Sequence, residues 1–246
     1  QLKECWKGRP AILISAGPSL EKQLPLLAEV KDHFLLISMG ASLRTLRAAH
    51  IEPHIVVTVD PFPIMYDHFK GVKSEGAWLL SDMAGNPNIV SDFSEKRLFG
   101  RSTPQMQCLF SKLCGQRGLM ISGGSVANSA FSAAAVMQAD PIILIGQDLA
   151  LNEEGKTHAT GDPYGDEQSV YLDNPEEIEG NYTETLKTNP ILKMFHYGYQ
   201  IDVANFEGTV INATEGGAKI PGTEVMSFQE AIETHIQLPI DLPDGK

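Results

Sequence analysis

Short β-branched apolar runs recur along this chain, most of them leading through a turn into a stretch with helical spacing, and that alternation restricts the fold more than any other feature. Runs at Pro10–Ala16, His33–Met39, His54–Val59, Ala77–Ser81, Gly118–Ile121 and Pro141–Ile145 read as strands. After Gly17-Pro18-Ser19, residues Leu20, Leu24 and Leu27 share one helical face, and Leu43, Leu46 and Ala49 do so after Gly40-Ala41-Ser42. A chain that alternates in this way forms βαβ units, in which a helical crossover returns each strand parallel to the last. His54–Val59 is nearly continuous in β-branched residues, as suits a strand covered on both faces.

The fold class expected is therefore α/β, a Rossmann-like, mostly parallel sheet flanked by helices. Ser122-Gly123-Gly124 opens an Ala- and Ser-rich helix from Ser125 to about Gln138, and Ser227–Ile236 reads as a closing helix with Phe228, Ala231 and Ile232 inward. Gln200–Val203 reads as a strand. Between Leu151 and about Asn189 the pattern dissolves into Gly, Asp, Asn, Pro, Thr and Tyr, the composition of a long lid or binding loop. The 246 residues suffice for one such domain, spanning 1–246 with the loop-rich insertion at about 151–190. An opening on Gln1 that leads directly into a strand–turn–helix unit suggests a domain cut from a longer chain with flanking domains.

Charge and cysteine usage narrow the partners. A formal charge of −12, from 31 acidic against 19 basic residues, leaves no basic stripe for a nucleic-acid backbone or an acidic membrane surface. The three cysteines, Cys5, Cys108 and Cys114, form neither a CxxC pair nor a zinc spacing and read as free thiols of a reducing compartment. The longest apolar runs, at Ala130–Val136 and Pro141–Ile145, fall far short of a membrane span, so a cytoplasmic location is expected.

Two Gly turns stand where a strand hands over to a helix. Gly17, Pro18 and Ser19 close the first strand, and Gly123, Gly124 and Ser125 precede a later helix; backbone N–H groups at such points attract a phosphate. Gly17 equally suits a tight turn and Ser19 a helix cap. The dinucleotide fingerprint is missing, because Ser19 and Lys22 stand where further glycines belong. Asn128, one turn into its helix, offers an amide to a base or ribose, or simply a helix contact. Asp60 and Asp148 both end apolar strands and are expected to face one crevice, where a carboxylate binds ribose, holds Mg²⁺ or takes a proton. His158, in Gly155-Lys156-Thr157-His158 just beyond Asp148, is the general-base candidate by position. No metal-ligand cluster and no G-x-S-x-G elbow is present, which disfavours metal hydrolysis and acyl transfer.

Taken in order, Gly17-Pro18-Ser19-Leu20, Val59-Asp60-Pro61, Gly123-Gly124-Ser125-Val126-Ala127, Gly146-Gln147-Asp148-Leu149-Ala150, Gly155-Lys156-Thr157-His158-Ala159 and Asn212-Ala213-Thr214-Glu215-Gly216-Gly217-Ala218 resemble the central domain of bacterial motility-associated-factor (Maf) glycosyltransferases. That resemblance includes the MptE-like pterin diphosphokinases and, through Gly-x-Gly-Pro-Ser-Leu, bacterial sialyltransferases; here Ser15 replaces the first glycine. It implies inverting transfer of a nonulosonic, sialic-acid-like sugar from a CMP donor to Ser or Thr hydroxyls of flagellin, with His158 or Asp148 as base and no metal required. Two other readings stay open: a 6-hydroxymethylpterin diphosphokinase using ATP with Mg²⁺ on Asp60 and Asp148, and a nucleotide-binding module without catalysis.

Overall fold

A computed structural model describes residues 2–72, 76–93, 96–100, 124–159 and 175–239. Eight strands form one sheet in which every pairing is parallel. They are β1 (Ala11–Ile14), β2 (Leu35–Met39), β3 (Ile55–Thr58), β4 (Trp78–Asp82), β5 (Arg97–Gly100), β6 (Ile142–Ile145), β9 (Val210–Asn212) and β10 (Glu224–Val225). A separate antiparallel hairpin pairs β7 (Glu176–Ile178) with β8 (Leu186–Thr188). The helices are α1 (Leu20–Val30), α2 (Leu43–Ala48), α3 (Pro87–Asp92), α4 (Val126–Val136), α5 (Pro190–Ala204) and α6 (Phe228–His235).

The sheet order is β10-β9-β6-β1-β2-β3-β4-β5, so the chain grows outward from β1 to β5 and then returns to the other side of β1. β1 and β6 are therefore neighbours whose onward connections run in opposite directions, which opens a crevice at their carboxyl ends. β1, β2, β3 and β6 are buried on both faces and their side chains alternate between two cores. Leu13, Ile37, Val57 and Leu144 face α4 and α5, against Ala130, Phe131 and Tyr199. Ile12, Ile14, Leu36 and Ile143 face α1 and α6, against Leu20, Leu27 and Phe228. Ala127, Ala130, Ala133 and Ala134 let α4 lie close to β1, β2 and β3, as its small-residue composition predicts.

Three differences from the sequence reading have local causes. Gln200–Val203 is no strand but the last turns of α5, which Pro190 opens and the Asn189 side chain caps by accepting from the Leu192 N–H; four residues are too few to separate strand from helix by period. β5 is short and half exposed at the sheet edge, so its apolar signal is weak. The stretch 151–189 holds the β7–β8 hairpin, whose Glu, Lys and Thr side chains hide its pairing. The strand expected at Gly118–Ile121 lies outside the described residues, as do Gly123, Cys108 and Cys114. Among the described residues no helix is long and apolar enough to cross a membrane.

Candidate functional site

The crevice between β1 and β6 is built from three loops: residues 15–19 after β1, 146–159 after β6, and 213–218 after β9. Asp148 is buried at their centre, and its carboxylate accepts from the Ser19 backbone N–H (3.2 Å) and from Ser19 Oγ (2.7 Å). Gly17 N–H donates to the Gly146 carbonyl oxygen (2.8 Å), and Ala218 N–H donates to the Asp148 carbonyl oxygen (2.7 Å). A Cβ on Gly17 would overlap both the Asp148 carboxylate and the Gly146 carbonyl oxygen, so glycine is required there for backbone-to-backbone contact. Ser19 has helical φ and ψ and makes no side-chain cap bond, which corrects the expected N-cap; its hydroxyl serves Asp148 instead.

The positive end of α1 is thus occupied by a carboxylate of the chain itself. Burial raises the Asp148 carboxyl above the usual carboxylate range, while the two bonds from Ser19 and the nearby Lys22 charge pull it back down. A general base at this position would have to leave Ser19 first. Asp60 behaves differently: it is half exposed beyond β3, and burial alone raises its carboxyl. β3 and β6 are separated by β2 and β1, three interstrand spacings, or about 14 Å across the sheet. Asp60 and Asp148 therefore follow strands that are not neighbours, and only Asp148 stands between β1 and β6, where both were expected to face one crevice. Among the described residues no group of three or more His, Cys, Asp or Glu is placed to hold a metal.

His158 comes close to the first turn. The Ala159 N–H donates to the Ala16 carbonyl oxygen (2.7 Å), which ties the 152–159 loop to the end of β1, and the His158 ring Nδ1 lies 2.8 Å from Thr157 Oγ1. The second turn has the geometry of a helix N-terminus. Ser125 is extended and caps α4, its Oγ accepting from the Asn128 N–H (3.2 Å), while Gly124 has φ +103° and is exposed. The first N–H groups of α4 have no carbonyl within the helix to bond. Asn128 does not reach out to a ligand: it is fully buried, its Oδ1 accepting from Ser125 Oγ (2.7 Å) and its Nδ2 donating to Asp202 of α5 (2.6 Å). It corrects the ribose expectation in favour of a helix contact, and Asp202 is held above its ordinary range by burial against that bond.

Several residues that organise the crevice were not singled out from sequence. Gln147 Oε1 accepts from Ser15 Oγ and from Tyr199 Oη (3.0 Å), so Ser15, where the resemblance has glycine, has a buried partner. Gln147 N–H donates to Thr214 Oγ1 (3.1 Å). Gln23 spans α1 to both loops, accepting from the Gly146 N–H (3.1 Å) and donating to the Ala213 carbonyl oxygen. A signal for Gln23 existed, since it falls with Leu20, Leu27 and Val30 on the buried face of α1, where a polar residue needs a partner. The Asn181 Nδ2, from the hairpin, donates to the Thr214 and Gly216 carbonyl oxygens (3.2 and 2.7 Å).

A parallel sheet whose strand order reverses beside β1, with loops converging at that switch point, defines a Rossmann-like class of α/β domain. A family model described as 6-hydroxymethylpterin diphosphokinase MptE-like matches residues 1–154, from before β1 to just past Asp148, and the chain belongs to this MptE-like family. A solved structure, that of the Maf glycosyltransferase from Magnetospirillum magneticum AMB-1, superposes with a TM-score of 0.76 at 20% identity over 91% of this chain. It shares the fold. This chain spans about a third of that protein's length, 34%. No curated protein sequence matches.

Proposed function

We propose that this chain is the catalytic domain of a glycosyltransferase that moves a nonulosonic sugar from a CMP donor to Ser or Thr hydroxyls of flagellin. The observation that carries this reading is the likeness in fold to the Maf glycosyltransferase along nearly the whole chain, including the parts beyond the family match. In this reading the donor phosphate sits at the N-terminus of α4, beside Gly124 and Ser125, where the helix dipole attracts an anion. Asp60 lies on the carboxyl edge at β3, where it can accept from ribose hydroxyls. Gly17 and Ser19 form the floor through their bonds to the β6 loop, with Pro18 between them.

His158 is the base. Its loop is tied to the end of β1, and it takes the acceptor hydroxyl's proton as the oxygen attacks the anomeric carbon and the CMP phosphate departs with the bonding electrons. Asp148 is the alternative base and would first have to release Ser19. No metal is required, because backbone N–H groups stabilise the leaving phosphate.

The second reading, a pterin diphosphokinase using ATP and Mg²⁺, is favoured by the description of the matching family. Against it stands the sheet order, which puts two strands between those that lead to Asp60 and Asp148. A third, a nucleotide-binding module without catalysis, has the same crevice without the transfer step. Thermal shifts with CMP, CDP, ATP and GTP, with and without Mg²⁺, separate them, since a ligand at a hundred times its dissociation constant adds about 2.7 kcal/mol to folding. Cytidine nucleotides are expected to stabilise without metal; stabilisation by ATP with Mg²⁺ alone transfers support to the kinase. Binding of CMP by a parent protein that shows no sugar transfer supports the module.

A further inference from the structure

Where β7 and β8 turn, a cleft of about 540 Å³ opens between the hairpin and the strand-like segment at Lys219. It is lined by Glu179, Asn181, Tyr182, Thr183, Glu184 and Lys219, together with Gly180. We propose that this cleft binds a neutral sugar ring, as a site that adjoins the nucleotide crevice across the 213–218 loop. The proposal rests on the chemistry of the cleft and does not depend on the glycosyltransferase reading.

The floor is hydrogen-bonded within the chain itself. Gly180 pairs with Ala218 in an isolated bridge, Asn181 N–H donates to the Gly217 carbonyl oxygen (3.0 Å), and Lys219 N–H donates to the Glu179 carbonyl oxygen (2.9 Å). Asn181 is fixed further by Asn212 Nδ2, which donates to its Oδ1 (3.0 Å). Preorganised backbone of this kind spares a ligand the entropy of ordering a loop. On that floor Tyr182 is 59% exposed, a large ring held toward solvent on a fixed turn. Its apolar face suits the C–H face of a pyranose lying on an open site.

The polar groups choose among ligands. Carboxylates accept, an ammonium donates and a threonine hydroxyl does both, which matches a ring whose hydroxyls donate and accept around its rim. Phosphates and carboxylated sugars are disfavoured, because Glu179 and Glu184 line the cleft and Glu215 and Glu230 add negative charge around the Tyr182 hydroxyl. A cationic peptide is less well served than a neutral ring. Glu179 already pairs with Lys219 Nζ (2.7 Å), and Glu230 already accepts from the Ser227 N–H and hydroxyl.

The test is an NMR titration of the ¹⁵N-labelled chain with methyl glycosides of glucose, galactose, mannose and N-acetylglucosamine. N-acetylneuraminic acid and a lysine-containing Ser/Thr peptide serve as comparisons. At least one neutral glycoside is expected to shift resonances clustered at 179–184 and 219 with millimolar affinity. Tyr182→Ala should weaken it by about tenfold or more, equivalent to about 1.4 kcal/mol, whereas Tyr182→Phe, which keeps the ring, should stay within about twofold. Tyr182 is on the surface, so both variants fold, and an unchanged melting temperature verifies it. The proposal is overturned if no neutral glycoside shifts these residues, if the anionic sugar or the peptide binds there more tightly, or if Tyr182→Ala binds normally. CMP shifts in the β1–β6 crevice report the nucleotide reading separately.

Discussion

Replacing Ser19 with alanine removes one hydroxyl and leaves everything else at the α1 N-terminus in place. The Ser19 Oγ donates to Asp148 at 2.7 Å in a buried setting, and the remaining Ser19 N–H bond is longer, 3.2 Å. A hydrogen bond to a charged group contributes about 1.5–3 kcal/mol, so Ser19→Ala should cost about 2 kcal/mol at neutral pH. For a chain of this length that corresponds to a melting temperature lower by about 4–8 °C. The sign of the pH dependence follows from Asp148. Its carboxyl is raised in the folded state above the unfolded value of about 3.9, so the folded protein holds that proton more tightly. Asp148 therefore favours folding below about pH 4, and this contribution is lost as pH rises through the folded value. Without the Ser19 hydroxyl, which favours the ionised form, the folded value rises further and the loss deepens. The Ser19→Ala deficit should accordingly be larger at pH 7 than at pH 4, and Asp148→Asn should abolish that dependence. Urea melts of the parent, the two single variants and the double variant from pH 4 to 7.5 provide the measurement. A deficit below about 0.5 kcal/mol, or one equal at both ends of the range, would refute the claim that Asp148 is the buried anion of α1.

Gly17→Ala should destabilise the domain by about 3 kcal/mol or prevent folding, because its Cβ would overlap the Asp148 carboxylate and the Gly146 carbonyl oxygen; a circular-dichroism melt within 2–4 °C of the parent's would contradict this. Tyr199→Phe leaves Gln147 Oε1 with only the Ser15 donor and should cost about 1 kcal/mol in denaturant melts, while an unchanged or higher midpoint would show that the Tyr199 bond adds nothing. His158→Ala, tested in the full-length parent protein, should leave CMP affinity nearly intact and lower sugar transfer by about a hundredfold. Full transfer would leave Asp148 as the candidate base, and loss of both activities would make His158 a nucleotide ligand. Gly124→Val should lower stability as well as nucleotide affinity, since φ +103° strains any branched residue; a variant that melts like the parent would show that the turn relaxes.

What the sequence by itself determined is local and periodic. The runs at residues 10–16, 33–39, 54–59, 77–81 and 141–145 were legible as strands because each is apolar and bounded by turn residues, and α6 because Phe228, Ala231 and Ile232 recur at helical spacing. Parallel pairing followed from the alternation itself. Only the tertiary structure decided which of the motif residues meet. Asp60 and Asp148 look equivalent as strand-end carboxylates, yet sheet order separates them by two intervening strands, because the chain returns to β6 on the far side of β1. Ser19 reads as a helix cap until the β6 loop brings Asp148 to it from 129 positions away, and Asn128 reads as a ligand until α5 covers it with Asp202. Helix and strand periods are written in neighbouring residues, whereas a buried polar group finds its partner only when distant loops close over it, and no spacing in the sequence records that closure.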